Sequence, residues 1–145
     1  MERQLRAILA MDVVGFSKMM SEDEENTLRV LTDRRQVVDQ IINEHGGRIF
    51  NTAGDSVIAE FASPVKAAEC AVQIQNKNST INKDLNEKEK MTFRAGINMG
   101  DIMITEDNLY GDAINIAARL ESSALPEGIC ISQNLFDMIN LKIKV

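Results

Sequence analysis

AILAMDVVGFS, residues 7–17, is the stretch of this 145-residue chain that decides its fold. Its first five residues form a continuous apolar run, which is typical of a strand buried on both faces. Asp12 closes the run, and a tight segment containing Gly15 follows at once. We therefore predict a buried strand over residues 5–14 with a carboxylate near its end.

Further strand and helix patterns alternate along the chain. Short apolar stretches bounded by turn residues predict strands at 48–52, 56–61, 91–98, 100–105, 129–132 and 141–145. Apolar residues at helical spacing predict helices at 24–45, from the Ser63-Pro64 start signal through 74, at 112–122 and at 135–139. Residues 76–90 contain few apolar side chains, so we expect a solvated loop or a frayed helix end there.

The order of these elements predicts one α+β domain over residues 1–145. A βαββαβ order is that of a ferredoxin-like core, an antiparallel sheet backed by helices, and here an additional hairpin and helices follow it. In such a core the first strand and a hairpin strand lie side by side at the centre of the sheet. This arrangement brings Asp12 close to Asp55, which follows Gly54 in the predicted hairpin turn.

Composition argues against several classes of function. The 22 acidic and 16 basic residues give a net charge of -6, which disfavours an electrostatic grip on nucleic acid. No apolar stretch approaches the length of a membrane-spanning helix, roughly 20 residues, so we expect no direct membrane insertion. Cys70 and Cys130 are isolated and His45 is the single histidine, so neither a zinc site nor a disulfide framework is expected. Free thiols favour a reducing, cytoplasmic location.

Asp12 and Asp55 form the first candidate site. Two carboxylates on neighbouring strand ends can hold two divalent cations, which would stabilise both the attacking and the leaving oxygen of a displacement at phosphorus. The alternative is structural. Aspartate is common in turns, and Gly54-Asp55 fits a two-residue hairpin turn without any metal.

The segment NLYGDAINIAARL, residues 108–120, contains the second candidate site. Asn115 and Arg119 are four residues apart and share a helix face, so an amide and a guanidinium project together. Such a pair can hold a sugar and a pentavalent phosphate. An amphipathic helix on which both polar residues are merely solvated is the alternative at this point.

Four blocks of sequence, in this order and spacing, resemble the class III adenylate and guanylate cyclase catalytic domain. They are AMDVVGFS at 10–17, HGGRIFNTAGDSVIAEF at 45–61, FRAGINMGDI at 93–102 and NLYGDAINIAARLE at 108–121. The opening block and its continuation SEDEENTL, residues 21–28, are similar to the bacterial branch of that family. The resemblance covers nearly the whole chain and implies the class III nucleotide cyclase fold.

The resemblance also implies a role for each residue that matches a family motif. Two divalent cations, Mg²⁺ or Mn²⁺, would be bound by Asp12, Asp55 and the backbone carbonyl of Val13. The phosphates would be bound by the backbone amides of Gly15, Phe16 and Ser17 and by the side chain of Arg94. Asn115 would position the ribose, and Arg119 would stabilise the charged transition state.

The implied reaction converts ATP to 3′,5′-cyclic AMP and pyrophosphate. In this family the aspartates and the Asn/Arg pair of one site come from different subunits, so the resemblance implies a homodimer with shared active sites. The family usually selects adenine with a lysine and an aspartate, and those positions are Asn51 and Asn108 here. An amide carries both a donor and an acceptor and can serve adenine or guanine. ATP is therefore favoured over GTP by family prevalence alone.

Alternatives to an active adenylate cyclase stay open. The chain could be a guanylate cyclase, or a catalytically impaired relative that binds nucleotide or dimerises as a regulatory module. A polymerase-like nucleotidyl transferase is disfavoured because a basic template-binding surface is missing. Family domains usually continue into a further hairpin with a lysine that contacts the triphosphate. We therefore expect the domain to be cut short at its C-terminal end, with possible regulatory domains outside the chain.

Overall fold

The computed structural model describes residues 2–140, in which a six-stranded sheet is covered by five α-helices. The strands are β1 Glu2–Val13, β2 Arg48–Ala53, β3 Ser56–Phe61, β4 Phe93–Ile104, β5 Leu109–Tyr110 and β6 Ile129–Ile131. The α-helices are α1 Phe16–Glu22, α2 Glu24–Glu44, α3 Pro64–Lys83, α4 Asp112–Ser123 and α5 Gln133–Asn140, with a single 3₁₀ turn at Glu87–Glu89.

The sheet has the strand order β2-β3-β1-β4-β5, and β6 pairs with β4 beside β5. Strand β1 lies at the centre, antiparallel to β3 through Ala7–Met11 and antiparallel to β4 along all of Glu2–Val13. Among the strands of residues 2–140, only β6 runs parallel to its neighbour. The predicted α+β fold with a ferredoxin-like core is therefore confirmed, and β1 and β3 are the adjacent central strands that the prediction required.

Each face of the sheet packs against different helices. Leu9 and Met11 of β1 belong to the larger core cluster, which also contains apolar residues of α2, α3 and α5. Ile8 and Ala10 point to the opposite face and pack against Ala113 and Ala117 of α4. Because successive side chains of a strand alternate between faces, Asp12 lies on the face that α4 covers.

The structure corrects the prediction that residues 91–98 and 100–105 form two strands. They form one twelve-residue strand, β4, which is paired with β1 from end to end. Gly100 suggested a break, yet it lies inside the strand, where a Cβ would be 2.8 Å from the Cβ of Ala113. The glycine therefore makes room for α4 rather than ending the strand.

The expectation of a solvated loop or a frayed helix end over residues 76–90 was wrong for its first half. Helix α3 continues to Lys83, and Asn78 and Asn82 on it are buried. Both amides donate to the carbonyl of Met91, at 2.8 and 2.9 Å, and Asn82 also accepts from the Met91 amide at 3.1 Å. Polar composition suggested exposure, but these side chains satisfy a buried backbone segment instead.

Two short elements of the structure have no counterpart in the predicted order. The seven-residue helix α1 and the two-residue strand β5 were not predicted. The predicted strand at 141–145 lies outside the described residues. No helix within residues 2–140 has the length and apolar character needed to cross a membrane.

Candidate active site

Asp12 and Arg94 form the centre of the site at the end of β1. They are direct partners in the antiparallel register of β1 and β4, so both side chains project from the same face. Arg94 Nε donates to Asp12 Oδ1 at 3.2 Å and Arg94 Nη2 donates to Oδ2 at 2.9 Å. This two-point contact is the strong geometry for an arginine–carboxylate pair. It also raises the pKa of Arg94 further above its ordinary value.

Glu121, near the C-terminal end of α4, is a third charged group at this position. Its side chain is 8% exposed, and its Oε2 lies 3.5 Å from Arg94 Nη2. Removal from water, reinforced by the negative charge of Asp12 and opposed by Arg94, raises the pKa of Glu121 to about 7. Arg94 Nη1 also donates to the Ser122 carbonyl at 3.1 Å. The guanidinium therefore links β1 to the end of α4.

Asp55 lies in the β2–β3 turn, where it has a long-range contact. Ala53 pairs with Ser56, and Gly54 has a φ of +59°, as expected for a two-residue turn with glycine first. The Oδ2 atom of Asp55 accepts a hydrogen bond from the backbone N–H of Val13 at 2.9 Å. The structure thus brings Asp55 against the end of β1, one residue from Asp12.

The segment between β1 and α1 presents backbone amides beside these carboxylates. Val14 N–H donates to the carbonyl of Thr92 at 2.8 Å, which anchors the segment to the residue before β4. Gly15 has a φ of +68° and is the N-cap of α1, whose first residues are Phe16 and Ser17. The first amides of a helix have no partner inside the helix, so they can bind an anion that approaches the end of β1.

The oxygen atoms of Asp12, Asp55 and Val13 at the end of β1 fit divalent cations that are bound by the protein and the substrate together. Within residues 2–140 there is no cluster of three or more His, Cys, Asp or Glu side chains that could hold a metal ion. Mg²⁺ is usually bound by one or two carboxylates together with substrate phosphates rather than by an all-protein cage. Asp12 and Asp55 would be the two carboxylates of such a site, and the Val13 carbonyl lies at the same end of β1.

Asn115 and Arg119 are not part of this cluster. Ala113, Ala117 and Glu121 form the buried stripe of α4, whereas Asn115 and Arg119 lie on its exposed side. The Arg119 side chain is 76% exposed, and its Nη2 lies 4.0 Å from Asp112. Helix α4 therefore carries two sets of polar groups, one facing Arg94 and Asp12 and one facing away from the sheet.

The two predicted base-binding residues lie on segments that contact each other. Asn51 is in β2, opposite Ile58 of β3. Asn108 is exposed in the β4–β5 turn, where its Oδ1 accepts from the Leu109 amide at 3.0 Å. Arg48 of β2 donates to the Glu106 carbonyl of that turn at 2.6 Å. The sheet therefore curls enough to bring β2 to the turn, although they are at opposite ends of the strand order.

Glu121 is the site residue that the sequence analysis missed. A signal for it existed, because Ala113, Ala117 and Glu121 follow one another at a spacing of four residues. An acidic residue that continues the small apolar stripe of a helix is unusual, since ionised carboxylates are rarely buried without a partner.

This fold and site define the class of nucleotide cyclase catalytic domains. The chain belongs to the family described as adenylate and guanylate cyclase catalytic domain, whose sequence profile matches residues 3–145. It is 41% identical over 139 residues to a Rhizobium meliloti (strain 1021) protein named "Putative adenylate cyclase 3". That alignment covers 95% of this chain and 24% of the relative.

Solved structures agree with this assignment. The crystal structure of an adenylate/guanylate cyclase/hydrolase from Silicibacter pomeroyi superposes with a TM-score of 0.85 and 37% identity, over 99% of this chain and 84% of that one. The adenylyl cyclase CyaB from P. aeruginosa shares the fold with a TM-score of 0.83 at 21% identity, over 98% of this chain and 83% of that one. The chain spans between 13% and 29% of the length of the curated relatives that it matches.

Proposed function

We propose that this domain converts ATP to 3′,5′-cyclic AMP and pyrophosphate at sites shared between two copies of the chain. One observation supports the shared site above all. Asp12, Asp55 and Arg94 cluster at the end of β1, while Asn115 and Arg119 project from the opposite side of α4. A single copy therefore holds two separate halves, and a second copy would complete each of them.

The first half binds the triphosphate. Asp12, Asp55 and the Val13 carbonyl hold the divalent cations, Mg²⁺ or Mn²⁺. When bound, these cations lower the pKa of the ribose 3′-hydroxyl and stabilise the departing pyrophosphate. The amides that begin α1, at Gly15, Phe16 and Ser17, orient the phosphate oxygens. Arg94 binds the triphosphate with the guanidinium that Asp12 holds when substrate is absent.

The second half acts on the reacting atoms. Asn115 from the other copy binds the ribose, and Arg119 of that copy faces the α-phosphoryl group. The 3′-oxygen attacks the α-phosphorus, and the bond between this phosphorus and the oxygen bridging to the β-phosphate breaks as pyrophosphate leaves. Negative charge grows on the α-phosphoryl oxygens during this step. A fixed guanidinium stabilises that charge more than it stabilises the substrate, which lowers the barrier.

Base selection would fall to Asn51 and Asn108. Asn51 and Asn108 are both amides, and either can turn a donor or an acceptor toward the base. We favour ATP, and a guanylate cyclase is the second candidate because the same amides can bind guanine. Regulatory domains outside this chain and a cytoplasmic location stay predictions.

Turnover assays test the proposal directly. The 145-residue chain is incubated with Mn²⁺ or Mg²⁺ and with ATP or GTP, and cyclic nucleotide and pyrophosphate are measured. We expect both products in equal amounts, and none without the metal. Asp55→Asn keeps an oxygen that can accept from Val13 N–H but loses the charge, so it should fold and be inactive. Asp84→Asn, at the far end of α3, is the matched control.

Two results would contradict the proposal. Wild-type turnover in the Asp55→Asn variant would exclude the metal assignment. A wild-type chain that binds nucleotide and metal but releases neither product would identify the domain as a nucleotide-binding regulatory module.

A further inference from the structure

The guanidinium of Arg94 has more partners than a phosphate-binding arginine needs. Two of its nitrogens contact Asp12, at 2.9 and 3.2 Å, a third donates to the Ser122 carbonyl at 3.1 Å, and Glu121 lies 3.5 Å away. Asp12 is also a proposed cation ligand. A divalent cation on Asp12 competes with the guanidinium for the same carboxylate oxygens, because both are positive and both need those lone pairs.

We propose that Glu121 is a positioning residue that retains the Arg94 guanidinium at the end of α4 when Asp12 exchanges Arg94 for a cation. This inference rests on the proposed function, since it takes Asp12 as a metal ligand and Arg94 as a phosphate ligand. It assigns to Glu121 no contact with substrate. Glu121 affects binding of the triphosphate only by holding the Arg94 side chain in place.

The geometry supports a change of ionic partner for Arg94. Glu121 is the secondary partner while Asp12 holds Arg94, and it becomes the main partner when a cation binds Asp12. In the metal-free chain Asp12 holds Arg94 by two short contacts, and the Glu121 contact is longer. Once Asp12 is occupied by a cation, Glu121 is the carboxylate that remains within reach of the guanidinium. The Ser122 carbonyl already fixes the third nitrogen to the same turn of α4. Arg94 can then release Asp12 without leaving the site.

Burial explains why this carboxylate can serve as the retaining group. The Glu121 side chain, 8% exposed, lies on the side of α4 that faces the sheet. A carboxylate with little access to water depends on the cation beside it. The Ser122 hydroxyl donates to Oε2 at 3.3 Å, and the carboxylate of Asp12 also lies beside Glu121. A neutral residue of the same shape would leave Asp12 as the carboxylate that contacts Arg94, with Asp55 acting only at longer range.

The test measures binding rather than turnover. The probe is 3′-deoxy-ATP with Mn²⁺, because it carries the triphosphate but lacks the attacking hydroxyl. Glu121→Gln keeps the size of the side chain and removes its charge, so Arg94 should remain on Asp12. We expect calorimetry to show about tenfold weaker binding. Glu69→Gln, an exposed change on α3, is the matched control and should bind like the wild type.

A double-mutant cycle separates this role from a general effect of negative charge near the cations. If Glu121 acts through Arg94, Glu121→Gln should have no further effect on binding in an Arg94→Gln background. An equal loss in both backgrounds would overturn the inference and leave only long-range electrostatics. Arg94→Met replaces Arg94→Gln if the latter does not fold, because methionine is also unbranched and carries no charge.

The remaining outcomes distinguish a failure of this inference from a failure of the proposed function. Unchanged probe binding by Glu121→Gln would overturn the inference, whatever the melting temperature of the variant. If the wild-type chain does not bind the probe, the proposed function fails and the inference falls with it. If it binds the probe and the cycle is additive, only the inference fails.

Discussion

Gly96 of β4 lies directly against the backbone of Glu121 in α4. A Cβ at Gly96 would be 2.3 Å from the Glu121 nitrogen and 2.4 Å from the Ala117 carbonyl oxygen. Those atoms are backbone, so no side-chain rotation can relieve the overlap. The missing Cβ therefore sets the depth at which α4 packs on the sheet, and with it the distance between Glu121 and Arg94.

Gly96→Ala should push α4 away from β4. We expect a loss of about 3 kcal/mol in the free energy of unfolding, since overpacking of this kind has little room to relax. Chemical denaturation measures the loss. Gly100→Ala is the graded comparison, because the nearest atom to its Cβ is the Ala113 Cβ, at 2.8 Å rather than 2.3 Å, and the smaller overlap should cost less. Equal losses in both variants would show that α4 can shift freely.

Asn82→Ala should destabilise the domain although the residue is polar and lies on a helix. The substitution removes two hydrogen bonds to the Met91 backbone and leaves a buried amide and carbonyl with fewer partners. We expect a cost of about 2 kcal/mol. Asn76→Ala, exposed on the same helix, should change stability by less than about 0.5 kcal/mol. Urea denaturation of both variants tests the difference, and similar stabilities would contradict the structure.

Mixing two inactive variants should restore part of the activity if the sites are shared. In a dimer of Asp55→Asn with Arg119→Ala, one site carries both changes and the other carries none. A 1:1 mixture should therefore reach about a quarter of wild-type activity, because half of the dimers are mixed and each has one intact site. Mixing Asp55→Asn with Asp12→Ala is the control and should give none. Absence of recovery in the first mixture would argue against sites shared between copies.

Restoring the base-selecting residues that are usual in the family should sharpen substrate choice. Asn51→Lys together with Asn108→Asp replaces two ambiguous amides by a fixed donor and a fixed acceptor for adenine. We expect the ratio of kcat/KM for ATP over GTP to rise by about tenfold or more. Competition assays with both nucleotides measure the ratio. An unchanged ratio would place base selection on other residues.

The burial of Glu121 should make stability depend on pH. Its pKa is raised from 4.5 to about 7, chiefly by removal from water. Between these values the folded chain binds more protons than the unfolded chain, so this group lowers stability as the pH rises from 4.5 to about 7. The Glu121→Gln variant has no carboxyl group at this position, so it does not lose this stability as the pH rises. In metal-free protein it should gain stability relative to the wild type between about pH 5 and pH 8.

Thermal melts at both pH values test this dependence on Glu121. Glu69→Gln, which is exposed, should follow the wild-type curve at each pH. A Glu121→Gln curve parallel to that of the wild type would mean that the carboxyl group titrates as it does in the unfolded chain.

Features that depend on neighbouring residues were predictable. The hairpin turn at Gly54-Asp55, the N-cap at Ser63 and the strand that ends near Asp12 all follow from local backbone and hydrogen-bond preferences. Errors arose where composition was taken for exposure. Asn78 and Asn82 have polar side chains, yet both are buried because the Met91 backbone needs their amides. Whether a polar residue is exposed depends on what packs against it, and a local pattern does not contain that information.

The sequence by itself determined the family, the order of most elements and the identities of the candidate site residues, since each depends on residue types at short spacing. The tertiary structure alone decided how those residues are grouped. Asp12 meets Arg94, 82 positions away, because the antiparallel register of β1 and β4 makes them partners. The buried face of α4 then brings Glu121 to the same point and turns Arg119 away from it. Strand register and helix rotation follow from packing over the whole domain, which local spacing does not specify.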